Sequence, residues 1–147
     1  MKKAMQHNNS PISLREGKVF LDGEMILDDV ACTINFTPTV WTGQQLGERT
    51  PSSRWLSANI TGSLTRRRST NCIKEKIKTY LSTGRTPEMT IQGIMSDEGS
   101  DYFQNHGSDT VTCVGCVLTG DLPLTRLDSN GDVVDDVIAF NAKDIIL

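Results

Sequence analysis

Residues 29–38 alternate strictly. Val30, Cys32, Ile34 and Phe36 fall on one face, and Ala31, Thr33, Asn35 and Thr37 on the other. A period of two over that length describes a half-buried β-strand, and Pro38 bends it or marks an edge. The period returns within residues 56–67, where Ile60, Gly62 and Leu64 alternate with Thr61, Ser63 and Thr65. Two long strands that each need one dry face commit the chain to a sheet covered on one side.

Turn chemistry supplies the neighbours. Asp22-Gly23 lies between two short apolar runs, residues 18–21 and 24–27, and both central positions of such a turn need positive φ. Further strands are expected at residues 89–95, 110–118, 122–127 and 133–140, the last two flanking an Asn130-Gly131 hairpin turn. One helix interrupts them. Ile73, Ile77, Tyr80 and Leu81 form a single apolar stripe over residues 70–83 that should bury against the sheet. Ser69 or Thr70 can cap its start, and Gly84 suits the left-handed position after its end. The expected fold is mainly β, a small barrel or sandwich with one packed α-helix.

With 147 residues there is room for one domain. Residues 1–13, polar and carrying Pro11, read as a flexible N-terminal arm, and residues 14–147 as the β domain. Inside it residues 42–57 form a long polar loop flanked by Trp41 and Trp55 and rich in Gly, Pro and Ser. A loop of that length in a compact domain is usually functional or disordered. The formal charge of −3 argues against a dedicated nucleic-acid binder. No leader-like or membrane-length apolar run is visible, so a cytoplasmic, non-membrane protein is expected.

Candidate chemistry fails residue by residue. Cys113 and Cys116 make a C-x-x-C, yet Cys32 and Cys72 are isolated, and a zinc site wants a second pair. The motif lies in a strand, where residues three apart face opposite sides, so buried or interface thiols are favoured over metal or redox chemistry. The 128–132 segment starts like a calcium loop, but Val133 and Ala139 stand where glycine and a carboxylate belong. His7 and His106 lack triad partners. Asp28-Asp29 and Asp135-Asp136 are adjacent, so on strands their carboxylates diverge. Arg66-Arg67-Arg68 reads as a solvated corner or an inter-subunit ion-pair donor, with no interleaved aromatic for base stacking. No catalytic residue, cofactor or metal ligand is expected.

The order of segments is the remaining signal. An arm leads into the 15–24 hairpin (Arg15-Glu16-Gly17-Lys18-Val19-Phe20-Leu21-Asp22-Gly23-Glu24). The Trp-flanked loop, the strand Ile60-Thr61-Gly62-Ser63-Leu64-Thr65, one helix and closing strands follow. Over nearly its whole length the chain resembles the tail tube proteins of contractile phages and PBSX-type prophages, a family related to the tubes of tail-like particles and type VI secretion. The cysteine-bearing 110–118 strand has no counterpart in that pattern.

The resemblance implies a homo-oligomer of six-membered rings, stacked into a hollow tube inside a sheath. Sheath, baseplate and tape measure proteins are the implied partners, with DNA only as passing cargo in a true phage. Assembly in the host bacterial cytoplasm and a place in the mature particle follow. It also implies inter-ring contacts from the arm and from the long loop, at Thr42, Gln44, Gln45, Leu46, Glu48, Arg49, Thr50, Arg54 and Trp55. Two other readings compete: a monomeric β-sandwich module holding a ligand in its polar loops, and a thiol- or metal-dependent enzyme built on Cys113 and Cys116.

Overall fold

The computed structural model describes residues 9, 12–13, 15–25, 29–67, 72–125, 127–131 and 135–147. Eight strands and two helices appear in the order β1 (Gly17–Leu21), β2 (Glu24–Met25), β3 (Asp29–Gly43), β4 (Ser52–Arg67), α1 (Cys72–Thr83), β5 (Met89–Met95), α2 (Asp101–His106), β6 (Asp109–Thr119), β7 (Asp135–Ala142) and β8 (Asp144–Ile146). All pairings are antiparallel, running β2-β1-β5-β6-β7-β4-β3 with β8 also on β6. The mainly-β class with a helix against the sheet is the one expected from sequence.

Asp22-Gly23 makes the expected turn, with φ of 52° and 86°. Asp22 then ties that turn down: Oδ1 accepts from the Thr90 N–H at 2.9 Å, and Oδ2 accepts from Lys76 Nζ at 3.4 Å. The β1–β2 hairpin is thereby fixed to β5 and to α1.

The sheet folds over at a corner shared by two strands. Along one edge β6 pairs with β5, and the register slips by one residue between Ile91↔Cys113 and Met89↔Cys116. Along its other edge β6 pairs first with β8 (Cys113↔Ile145) and then with β7 (Val117↔Asn141). Gly115 supplies the bend with φ of 65°, and Lys143 sits against it, its N–H bonded to the Val114 carbonyl at 3.1 Å. A bulge in the left-handed region turns a strand and lets side chains change face.

This corner overturns one expectation. Cys113 and Cys116 do not face opposite sides; both are fully buried in one core, with Val19, Ile60, Leu64, Met89, Ile91 and Phe140. The alternation rule fails because the extra residue at the bend shifts its phase. The fold-over also brings β3 above β5, so that the Ile34 Cδ1 methyl stands 3.8 Å from where a Gly93 Cβ would be.

Other boundaries differ too. Residues 122–127 form no strand among the described residues, and Leu124 and Leu127 are exposed there. Pro123 removes a ladder donor from that run. Asn130 and Gly131 do turn, their N–H groups bonding to Oδ1 and to the backbone oxygen of Asp128 at 3.0 and 3.1 Å. With no strand before it, that turn closes no hairpin, and residues 132–134, with Val133, lie outside the described residues. The chain ends instead in β8, which the sequence reading does not assign. The polar 96–109 loop contains α2, capped by Ser100, whose Oγ accepts from the Phe103 N–H at 3.2 Å. The His106 ring lies against Tyr102 at the end of α2, with centroids 4.9 Å apart and the planes tilted by 48°.

Helix α1 starts at Cys72; the expected caps Ser69 and Thr70 lie outside the described residues. Its end follows expectation, with Gly84 at φ 72° and its N–H on the Tyr80 carbonyl at 2.7 Å. The stripe is only half used. Ile73 is buried and Ile77 half-buried, but Tyr80 is 49% and Leu81 76% exposed. The helix docks by its first turn, where Cys72, Ile73 and Lys76 meet Leu64, Arg66 and Ile138 around a small apolar hollow. Its last turn stays in solvent.

The basic run divides as well. Arg66 is buried, 3% exposed, whereas Arg67 is solvated and pairs with Asp135 at 3.7 Å. A wholly solvated corner is therefore not what forms; Arg68 lies outside the described residues. Strand alternation separates the two arginines, and it separates Asp135 from Asp136 in the same way.

Candidate functional site

The third strand of support for β4 ends at Ile60, whose partner on β7 is Ala142. β3 and β4 nevertheless stay paired from Thr37↔Asn59 out to Gly43↔Ser52. Seven residues of strand span about 20 Å. The chain thus carries a bare two-stranded ribbon, exposed along nearly its whole length. Half of the expected 42–57 loop is strand of this ribbon: Thr42, Arg54 and Trp55 stand in strands, and residues 44–51 connect them.

One face of the ribbon prolongs the apolar face of the body. β3 carries Cys32 and Ile34 against the core, then Phe36 and Val40 beyond it, each of these two 48% exposed. On β4 the register shifts between Thr39↔Ser57 and Val40↔Trp55, leaving Leu56 as the extra residue. That bulge swings Trp55 onto the Phe36 side, where the two rings lie 5.9 Å apart and tilted by 43°. Without it Trp55 would face the other way. Trp55 stays 65% and Leu56 63% exposed. On the opposite face Trp41 stands across from Arg54.

The tip has a defined shape. Gly47 has φ of 87°, and the Glu48 N–H bonds to the Gln45 carbonyl at 3.1 Å, a turn that places Leu46 at its apex. The Glu48 carboxylate accepts from the Gln45 N–H at 3.2 Å, and Gln44 Nε2 donates to the Glu48 carbonyl at 2.6 Å. Thr42 and Ser53 hydroxyls meet across the strands at 3.4 Å. Of the residues singled out from sequence, Gln44, Gln45, Glu48 and Thr42 therefore hold the ribbon's own end in shape. Leu46, Arg49, Thr50, Arg54 and Trp55 are displayed to solvent. Phe36 and Val40, which sequence reasoning did not select, complete the displayed face; their place on the apolar register of β3 was the available signal.

Of the N-terminal arm, Asn9, Ile12 and Ser13 are described. The Asn9 carbonyl accepts from the Asp101 N–H at 2.7 Å, and the Ser13 N–H donates to Asp97 Oδ2 at 3.0 Å. The thiols offer little chemistry. Desolvation raises the pKa of both Cys113 and Cys116, the latter to about 11, with the Cys113 neighbour adding to the shift. A thiol held protonated is a poor nucleophile and a poor metal ligand.

A family model described as phage tail tube protein matches residues 4–147. Among curated proteins, the phage-like element PBSX protein XkdM of Bacillus subtilis (strain 168) is 25% identical over 133 residues, covering 90% of this chain and 87% of that one. The uncharacterized protein YqbM of the same organism matches to the same extent, 25% over 133 residues. Among solved structures, several share the fold. The extended sheath–tube complex of PVC, an extracellular contractile injection system, aligns with TM-score 0.68 at 12% identity over 92% of this chain and 90% of that one. The tube-terminating cap of the anti-feeding prophage aligns with TM-score 0.68 at 14% identity over 99% and 94%.

Proposed function

The chain belongs to the phage tail tube protein family, and from that premise we propose that its copies close into six-membered rings which stack into a hollow, non-enzymatic conduit. The observation that carries this reading is the bare β3–β4 ribbon. An isolated two-stranded ribbon is marginal in water, and this one shows Val40 and Leu46 to solvent beside Phe36 and Trp55, aromatic side chains of the kind that anchor protein interfaces. A second copy of the chain is the natural partner, because a heterologous contact that closes by rotation makes a ring and leaves both ring faces free to stack. The open edges of β2 and β3 supply further templates for pairing between copies.

In this reading Leu46, Arg49, Thr50, Arg54 and Trp55 touch the neighbouring ring, while Thr42, Gln44, Gln45 and Glu48 hold the tip ready for it. Residues 1–13 add a second contact. The fold's likeness to the PVC sheath–tube complex and to the anti-feeding prophage baseplate, the latter with TM-score 0.61, supports a sheath and a baseplate as partners of the tube. A tape measure protein inside, assembly in the bacterial cytoplasm and DNA as passing cargo in a phage complete the proposal.

Electron microscopy of the purified chain tests it. Rings and tubes are expected. Replacing residues 44–51 by Asn-Gly, a turn suited to a two-residue hairpin, should leave the subunit folded and abolish stacking. A strict monomer at high concentration, or full-length tubes from the shortened variant, overturns the reading.

A further inference from the structure

The C-x-x-C of Cys113 and Cys116 has no role in the tube reading. Regular alternation would part the two side chains. The register slip against β5 and the left-handed Gly115 put both into the core instead, each 0% exposed. There they meet. The Cys116 thiol donates to the Cys113 carbonyl at 3.5 Å, and the two thiols are hydrogen-bond neighbours of one another. A metal would want more donors, and among the described residues no group of three His, Cys, Asp or Glu side chains is placed to hold one. Nucleophilic catalysis would want an accessible thiolate, which burial denies. Packing alone would be served by any small apolar pair and does not call for two sulfurs in contact.

What two neighbouring thiols can do, and one cannot, is join. Joining demands converging side chains, and the bend supplies them. We propose that Cys113 and Cys116 form a reversible disulfide, closed by exchange with a small disulfide of the glutathione type. The thiolate of one cysteine attacks a sulfur of the small disulfide, whose other half leaves and takes up a proton. The second cysteine, as thiolate, then attacks the protein sulfur of the mixed disulfide, and the second small thiol leaves with the other proton. The protein pair is oxidised by two electrons, and the small disulfide is reduced to two thiols. Burial makes a local opening the condition for this exchange. The corner is the place for it, because β8 holds β6 by three register pairs and β6 changes partner there from β8 to β7. Closing the bond fixes the bend at Gly115, next to the Val114 carbonyl that holds the Lys143 N–H. Lys143 follows Ala142, the partner of Ile60 at the foot of the ribbon. The bond is thus a lock on the base from which the ribbon projects, open in a reducing cytosol and closed in an oxidising medium. It belongs to the folded subunit and stands or falls apart from ring formation.

The full chain and its Cys32→Ala/Cys72→Ala variant, which keeps only this pair, test the lock. Each is equilibrated with oxidised and reduced glutathione, once in urea low enough to preserve the native fold while allowing brief opening, and once in fully denaturing urea. Acid quenching, alkylation and peptide mapping by mass spectrometry then count bonded and open pairs. The native chain should carry a Cys113–Cys116 bond, with a ratio of bonded to open pairs about tenfold above that in denaturing urea, in keeping with the small loop it closes. By linkage the oxidised chain should be the harder to unfold by the same factor. Exchange of the Lys143 amide hydrogen should slow on oxidation. A bond that forms no more readily in the native chain than in denaturing urea overturns the proposal, and so do glutathione adducts or open thiols with no internal bond. Unchanged exchange at Lys143 in the oxidised chain removes the lock on the corner. Should the alanine variant not fold, peptide mapping of the wild-type chain gives the same reading.

Discussion

Arg66 on β4 and Asp136 on β7 stand directly opposite each other in the sheet register, and both are almost completely buried, at 3% and 2% exposure. One residue along, Arg67 and Asp135 repeat the pairing in solvent. The same two charge types are thus presented once to the core and once to water.

The two pairs should differ sharply in worth. Removing one partner of a buried pair strands the other charge, so Arg66→Ala should cost about 3–5 kcal/mol. Arg67→Ala, on an exposed pair, should cost about 0–1 kcal/mol. Urea unfolding of the two variants reads the difference. The double variant Arg66→Met/Asp136→Leu should recover most of the loss, since neither charge is then left buried.

Gly115 is the second sensitive position. Its φ of 65° is costly for a residue with a Cβ, and an added Cβ would stand 3.1 Å from that of Lys143. Gly115→Ala should therefore destabilise by about 1–2 kcal/mol. Gly115→Val should cost more and expose Cys116 to a thiol reagent that does not touch the native protein. An unreactive Cys116 in a folded Gly115→Val variant would show that the corner does not depend on this backbone conformation.

These residues also mark what the sequence could express. The Asp22-Gly23 turn, the alternation of β3 and β4 beside the core and the end of α1 at Gly84 were legible, because each is set by a local rule or by one buried face. The corner at Gly115 was not, since a bulge changes the phase of alternation only once two neighbouring strands bend together. The ribbon at Thr42 and Ser53 read as loop for a different reason: both its faces meet solvent, so hydrophobic period had no buried side to report. Tyr80 and Leu81 continue the α1 stripe in sequence, but the described chain places nothing over them. As for the displayed site, Trp55 and Leu46 were visible as apolar residues in polar company, whereas Phe36 needed the three-dimensional end of the body to become exposed.

Alkaline pH should weaken the fold through the buried thiols. Burial holds the Cys116 pKa at about 11, against an ordinary 9.0 in the unfolded chain. The folded value is the higher one, so as pH rises the unfolded state loses its proton first. Stability from this thiol is complete below pH 9 and is lost through about pH 11, by about 2–3 kcal/mol in all. Cys113 shifts in the same direction and adds to the fall. Urea melts at neutral pH and at stepwise higher pH should show the decline, and Cys116→Ala should flatten it relative to wild type.

The Phe36–Trp55 contact separates folding from assembly. Both rings are largely exposed in the subunit, Phe36 48% and Trp55 65%, so truncating either should change subunit stability by about 0.5–1.5 kcal/mol at most, the range of an aromatic pair. Thermal unfolding should stay cooperative in Phe36→Ala, Trp55→Ala and the double variant, with the double less than additive because the two rings share one contact. Assembly should respond differently. Loss of an aromatic anchor at the centre of an interface typically costs 2 kcal/mol or more, which raises the concentration needed for association by about thirtyfold per contact. Stacking multiplies that loss over every subunit of a ring, so Trp55→Ala should leave a well-folded subunit that forms no tubes at concentrations where wild type does. Sedimentation and microscopy of the same sample measure both properties. Tubes of normal length from the double variant would remove this ribbon face from the interface.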